Sequence, residues 1–195
     1  MNSVLKNKYF LLRHGENNHL AEKPNLTYLY PDNDPPAFLT KQGIEEAKKA
    51  GETLKEKGIS LIFSSDILRA RETAKIVAEI IGLKEIIYDT RLRDINWGIF
   101  AGKDKKQGWE FFNNEAIKRF ETPLPQGESW NQCLERMMRV LKEIEDNFQD
   151  RSILIVSHGD PLWLLEGYIK GLTKEELIKQ RQEQGVLKTG EIREL

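Results

Sequence analysis

Four short apolar runs set the architecture: "YFLL" at 9–12, "SLIFS" at 60–64, "EIIYD" at 85–89 and "SILIVS" at 152–157. They are rich in β-branched and aromatic residues and lack polar alternation, the pattern of strands buried on both faces. Between them lie stretches of helical period. Thr40 to Lys57 sets Ile44, Ala47 and Leu54 on one side and Glu and Lys on the other, and Asp66 to Ile81 repeats this with Leu68, Ala70, Thr73, Ala74, Val77 and Ile81. Ser129 to Phe148 starts from a capping serine and turns Leu134, Met137, Met138, Leu141 and Ile144 inward. Strands alternating with helices predict a mostly parallel sheet covered on both faces, an α/β sandwich. With 195 residues, the chain is expected to form one domain over 1–195. Two stretches break the alternation, 15–39 with its "PDNDPPAF" and 94–128 with "INWGIFAGKDKKQGWEFF" and "TPLPQGES". Long irregular segments inside a compact domain are usually functional loops.

Charge and composition narrow the function classes. Thirty basic against 31 acidic residues leave a formal charge of −1, which argues against a broad nucleic-acid surface. Any anion specificity must be local. No apolar run approaches the roughly 20 residues of a membrane span, and "MNSVLKNKYF" lacks the apolar core of a secretory signal. A lone Cys133 cannot pair within the chain, so a cytoplasmic, reducing location is expected. Three histidines and one cysteine without HxxxH or CxxC spacing point to chemistry without a metal or other cofactor. Nothing in the sequence speaks to oligomeric state.

In open α/β sheets ligands bind beyond the carboxyl ends of the strands. Past the first run stand Arg13, His14 and Gly15; past the second Ser65, Asp66 and Arg69; past the third Arg91, Arg93 and Asp94; past the fourth His158, Gly159 and Asp160. Each has a bland reading alone: a structural histidine, a solvated arginine, a turn aspartate, or Asp160 as an N-cap with Pro161 at the first helical position. Together they deliver two imidazoles, several guanidiniums and a carboxylate to one sheet edge, with Gly15 letting the backbone come close. Phosphoryl chemistry calls for this set: forks for the dianion's oxygens, a nucleophile, and an acid for the leaving oxygen.

The blocks "LLRHGEN" (11–17), "SSDILRARETA" (64–74), "RLRDINWG" (91–98), "PQGES" (125–129) and "VSHGD" (156–160) resemble, in order and spacing, the histidine phosphatase superfamily, the phosphoglycerate mutase-like proteins. The likeness runs from Tyr9 to the closing "TGEIREL". It implies a three-layer α/β/α sandwich with a mostly parallel central sheet. It also implies His14 as the nucleophile that becomes phosphohistidine, Arg13 and Arg69 as phosphate-pocket arginines, and His158 as the second pocket histidine. Asp94 falls where the family places its general acid, usually a glutamate in "LRE", one methylene longer. Asp160 is the alternative acid, because a distant branch uses an aspartate next to its second histidine. The family's "RHGE(S/T)xxN" ends in a phosphate-binding Asn where this chain has Leu20, so Asn17 is the candidate for that contact.

Cofactor-dependent phosphoglycerate mutases carry "ERHYG" where this chain reads "DINWG", so their substrate-gripping Arg is Ile95 here and their His is Asn96. A phosphatase acting on a small phosphorylated metabolite is therefore the expected activity. A mutase-type phosphotransferase and a weakly active phosphate-binding module are the alternatives. Trp97, Phe100, Trp109, Phe111 and Phe112 are either core or an apolar lid, and Lys103, Lys105 and Lys106 either a solvated run or a contact for a second anionic group.

Overall fold

The apolar runs become the middle of a five-stranded sheet. The computed structural model describes residues 5–29 and 36–195. Its strands are β1 (Lys8–Arg13), β2 (Ile59–Ser64), β3 (Ile87–Tyr88), β4 (Ser152–Ser157) and β5 (Ile192–Glu194). Its helices are α1 (Asn18–Glu22), α2 (Lys41–Leu54), α3 (Leu68–Ile81), α4 (Lys105–Phe111), α5 (Lys118–Glu121), α6 (Trp130–Asn147), α7 (Gly159–Ile169) and α8 (Lys174–Gln184). The strand order is β3-β2-β4-β1-β5, with only β5 antiparallel. Among the described residues no helix is long and apolar enough to cross a membrane.

Successive residues of β1 feed opposite layers, as the strand period requires. Tyr9 and Leu11 pack with Met137, Val140 and Ile144 of α6 and Leu162 and Leu165 of α7. Phe10 and Leu12 pack with Ala50 and Leu54 of α2 and Ala70, Ala74 and Val77 of α3. The result is the three-layer α/β/α sandwich. β3 corrects the reading of 85–89 as a strand buried on both faces: two residues pair, at the sheet's edge, and both are exposed. The α6 stripe is also rotated from its expected course. Cys133 and Val140 are buried, while Leu134 and Met138 are only half-buried. In α2 the close-packed residues are Gly43, Ala47, Ala50, Gly51 and Leu54, with Ile44 half-buried.

The helices fix where a ligand can sit. β1 and β4 are neighbours, yet the next long helix after β1, α2, covers one face and α7 after β4 covers the other. Connections that leave adjacent parallel strands toward opposite faces open a crevice at their carboxyl ends. His14 and His158 stand at that crevice.

The two irregular segments are joined to each other. Thr27 N–H donates to Lys103 O at 2.9 Å and Lys105 N–H to Asn25 O at 2.9 Å, and the Thr27 hydroxyl donates to Phe100 O at 2.6 Å. One wall results. Residues 30–35, within the first segment, lie outside the described residues.

At Gly15 the backbone that comes close is that of α2. A Cβ there would lie 2.4 Å from Gly43 O, and a Cβ on Gly43 would lie 1.9 Å from Glu16 O. The first turn of α2 thus docks backbone to backbone on the loop after His14, held by Glu16 N–H on Glu46 Oε2 at 2.8 Å and Thr40 N–H on Glu16 O at 3.0 Å. Gly43→Ala is expected to cost about 2 kcal/mol or more by overpacking. Denaturant unfolding measures it, and wild-type stability in the variant would contradict the close approach.

Candidate active site

β1 runs out at Arg13, and His14 follows with its N–H on Ser157 O, at the end of β4, at 3.1 Å. Its ring is buried, and Nδ1 lies 2.8 Å from Gly15 O. A carbonyl oxygen only accepts, so the ring proton belongs on Nδ1 and the lone pair on Nε2. Arg69 Nε–H donates to that lone pair at 3.2 Å. Burial, then the charges of Arg69 and Arg13, holds the imidazole well below its usual pKa of 6.5. His14 is neutral near pH 7 and its lone pair faces the crevice arginine.

His158 caps α7 with extended backbone and is buried beside His14, ring centroids 5.1 Å apart. Its Nε2 is 2.9 Å from Ser65 Oγ, which also accepts from Ile67 N–H at 3.3 Å. When the serine gives its own proton to Nε2, the ring proton lies on Nδ1. That Nδ1 is buried without a hydrogen-bond partner among the described residues, 3.8 Å from Asp94 Oδ2. Buried polar atoms are rarely left so, and an oxyanion in the crevice would complete this one. Arg13 is similar: Nη1 holds Leu187 O at 2.7 Å, while its buried Nε has no partner among the described residues. Arg13, His158 and the first turn of α7 present positive polarity to one space.

Asp94 follows a short 3₁₀ turn, Thr90–Leu92, and receives Ile95 N–H on Oδ1 at 2.9 Å. Its Oδ2 meets Arg69 Nη2 at 3.2 Å. Burial is the largest influence on its pKa and raises it from 3.8; the Arg69 charge pulls the other way without overcoming it, and Asp160 adds to the rise. Asp160 differs. Arg181 Nη1 reaches its Oδ1 at 2.5 Å and Arg119 Nη2 its Oδ2 at 3.5 Å. Burial raises its pKa, but the charges of Arg181 and Arg119 outweigh that and leave it at about 2.

Asp160 also does not cap α7. His158 holds that position and Asp160 lies in the first turn. Asp160→Asn would leave the guanidinium of Arg119, buried and enclosed by Trp97, Trp109 and Trp130, without its anion. We expect a loss of about 3 kcal/mol of stability, with turnover slowed far less than by the matching change at Asp94. Paired unfolding and activity measurements test this, and the reverse ranking would make Asp160 the acid.

Arg69 is fully buried in the first turn of α3, not solvated. Beyond its bonds to His14 and Asp94, its guanidinium lies 3.8 Å from the ring centre of Tyr28. Tyr28 in turn exchanges hydrogen bonds with Asn17: Asn17 Nδ2 donates to the hydroxyl at 2.9 Å, and the hydroxyl donates to Oδ1 at 3.1 Å. Asn17 Oδ1 also caps α1, accepting Leu20 N–H at 3.1 Å. Asn17 therefore sits beside the arginine pocket with its carboxamide already engaged.

The residue that holds the acid segment from α6, Arg136, was not singled out in the sequence. Arg136 of α6 donates to the carbonyls of Arg91, Arg93 and Asp94 at 2.6, 2.6 and 3.0 Å, and to both Glu128 oxygens. A charged residue beside the Cys133–Met137–Val140 stripe was the available signal. Arg93 forks onto Asp66 at 2.7 and 2.5 Å, while Arg91 pairs with Asp89 and Glu143. Tyr28 lies in irregular chain and Arg119 in the four-residue α5, too short for a period to mark a residue. Of the aromatics expected as core or lid, Phe112 is buried, Trp97 and Trp109 flank Arg119, and Phe111 is exposed. Lys103 and Lys106 are exposed. Lys105 is half-buried, donates to Pro24 O at 2.6 Å, and has its pKa lowered by burial and then by the charge of Arg13.

The chain is similar to known proteins in sequence and in fold. Over 171 residues the chain is 33% identical to the protein named "Probable phosphoglycerate mutase GpmB" of Escherichia coli O1:K1 / APEC, covering 84% of this chain and 74% of that one. A mycobacterial glucosyl-3-phosphoglycerate phosphatase solved with VO3 has the same fold, with a TM-score of 0.78 and 24% identity over 96% of this chain and 92% of that one. YhfR of Bacillus stearothermophilus matches with a TM-score of 0.76 and 26% identity over 96% and 90% of the two chains. Residues 9–193, from β1 into β5, match the model of the histidine phosphatase superfamily (branch 1), and the chain belongs to that family.

Proposed function

We propose that the protein is a metal-independent phosphomonoester hydrolase that works through a phosphohistidine on His14. The observation that carries this reading is the neutral His14 imidazole, proton on Nδ1 and lone pair on Nε2, set among Arg13, Arg69 and His158. As substrate enters, the Arg69 Nε–H moves from the Nε2 lone pair to a phosphoryl oxygen, and the freed lone pair attacks phosphorus in line. The phosphorus–oxygen ester bond breaks, its electrons leave on the alkoxide, and Asp94 supplies the alkoxide's proton. Arg13, Arg69 and the Nδ1–H of His158 hold the remaining phosphoryl oxygens, whose charge is the main thing to stabilise. Water then attacks phosphorus while the Asp94 carboxylate takes its proton. The phosphorus–nitrogen bond breaks, returning neutral His14 and inorganic phosphate.

Hydrolysis is preferred to mutase transfer because the two positions directly after Asp94, Ile95 and Asn96, present no cation to a phosphoglycerate. Ile95 is buried, and the Asn96 carboxamide is spent on its own turn, accepting Gly98 N–H at 2.9 Å. One structural relative is named a phosphatase and the sequence relative a probable mutase, and the family admits both. The substrate class is a small phosphorylated metabolite. Rapid quench should trap an acid-labile phosphoprotein, and a metabolite panel without added metal should release phosphate faster than bisphosphoglycerate-dependent interconversion of phosphoglycerates. Faster interconversion would establish the mutase instead.

A further inference from the structure

We propose that Tyr28 is a positioning residue for Arg69, holding the guanidinium plane at the angle that serves His14 and Asp94 together; this rests on the hydrolase reading above. Arg69 has a demanding geometry. Its Nε edge meets His14 Nε2 at 3.2 Å while Nη2 meets Asp94 Oδ2 at 3.2 Å, so one planar fork must satisfy nucleophile and acid at once. Rotation of that plane would spoil both contacts and the alignment of the phosphoryl oxygens. The Tyr28 ring lies against the guanidinium at 3.8 Å, where stacking and cation–π attraction oppose rotation.

Tyr28 is itself fixed from three sides. Its hydroxyl is committed to the Asn17 carboxamide in both directions. Its ring stacks on that of His19, with centroids 4.2 Å apart and planes at 27°. Its chain neighbour Thr27 is fastened to Phe100 and Lys103 on the other irregular segment. The wall built from 24–29 and 100–105 therefore reaches the catalytic arginine through one aromatic ring. Of these supports Tyr28→Phe would remove only the Asn17 bonds, leaving the ring face on Arg69, the His19 stack and the Thr27 anchor.

The test uses 4-nitrophenyl phosphate in single-turnover quench with wild type, Tyr28→Leu and Tyr28→Phe. Losing the ring should slow phosphohistidine formation about tenfold or more, since small misplacements of a binding group carry costs of this size. Tyr28→Phe keeps the stacking face and should stay within about threefold of wild type, on the same footing. A second readout is the acid limb of kcat/KM. His14 faces Arg69 and His158 and feels Arg13, so an Arg69 that turns away in Tyr28→Leu should move that limb to higher pH, and in Tyr28→Phe it should stay. Wild type that forms no phosphohistidine would overturn the hydrolase reading and this proposal with it. A wild type that forms it while Tyr28→Leu reacts equally fast, or Tyr28→Phe falling as far as Tyr28→Leu, would overturn the role of Tyr28 alone.

Discussion

His14→Ala is expected to lower phosphate release by at least about 10³-fold and to leave no acid-labile phosphoprotein, because the variant lacks the atom that attacks phosphorus. Its electrostatic surroundings stay in place. Arg13, Arg69 and His158 come from β1, α3 and the start of α7, and none of them depends on the His14 ring for its main-chain position. The variant should still bind inorganic phosphate or vanadate, and the released space next to Arg69 leaves room for the anion. Phosphate binding without turnover, followed by calorimetry and rapid quench, is the expected pair of results. If turnover persisted near the wild-type rate, direct attack by water would be the route, and the neutral imidazole would be only a structural partner of Gly15 O.

The parts of this site that stand at strand ends were legible in the sequence for a physical reason. A buried parallel strand is an apolar run, and its end is where polarity returns, so Arg13, His14 and His158 are marked by the boundary itself. Arg69 was marked by spacing after β2, although its burial was not, because a helix's first turn is ordinarily solvated. The edge position of β3 was hidden for the opposite reason. "EIIYD" has the composition of a central strand, and only the sheet order shows that one of its sides has no neighbour.

Misreadings elsewhere share one cause, which is that local rules compete with tertiary partners. Asp-Pro suggested a cap at Asp160, yet the extended backbone of His158, φ −122° and ψ 171°, starts the helix earlier. Pro161 is still accommodated, since the first-turn N–H groups need no intrahelical acceptor. Asn17 was read as the substitute for the motif's Asn at Leu20, and the sequence did not show that its carboxamide also engages Tyr28, eleven positions away, in a segment without period. Tyr28, Arg119 and Arg136 are the residues a pattern search passes over. Each acts through a three-dimensional neighbour: a guanidinium face, a tryptophan enclosure, a row of carbonyls.

Asp94→Asn is expected to slow hydrolysis of an alkyl phosphate by about 10²-fold or more, the usual range for removing a positioned acid. The same change should cost much less on 4-nitrophenyl phosphate, whose leaving group departs without a proton. That dependence on the leaving group is what separates a general acid from a residue that merely orients Arg69. The pH profile gives the second arm. Activity should rise as His14 loses its proton, at a pKa lowered from 6.5 by burial and by Arg69 and Arg13, and fall as Asp94 loses its proton, at a pKa raised from 3.8 by burial. In the asparagine variant the alkaline limb should vanish while the acid limb remains. An equal loss on both substrates with the alkaline limb intact would remove Asp94 from proton transfer and leave it as the anchor of the Arg69 fork.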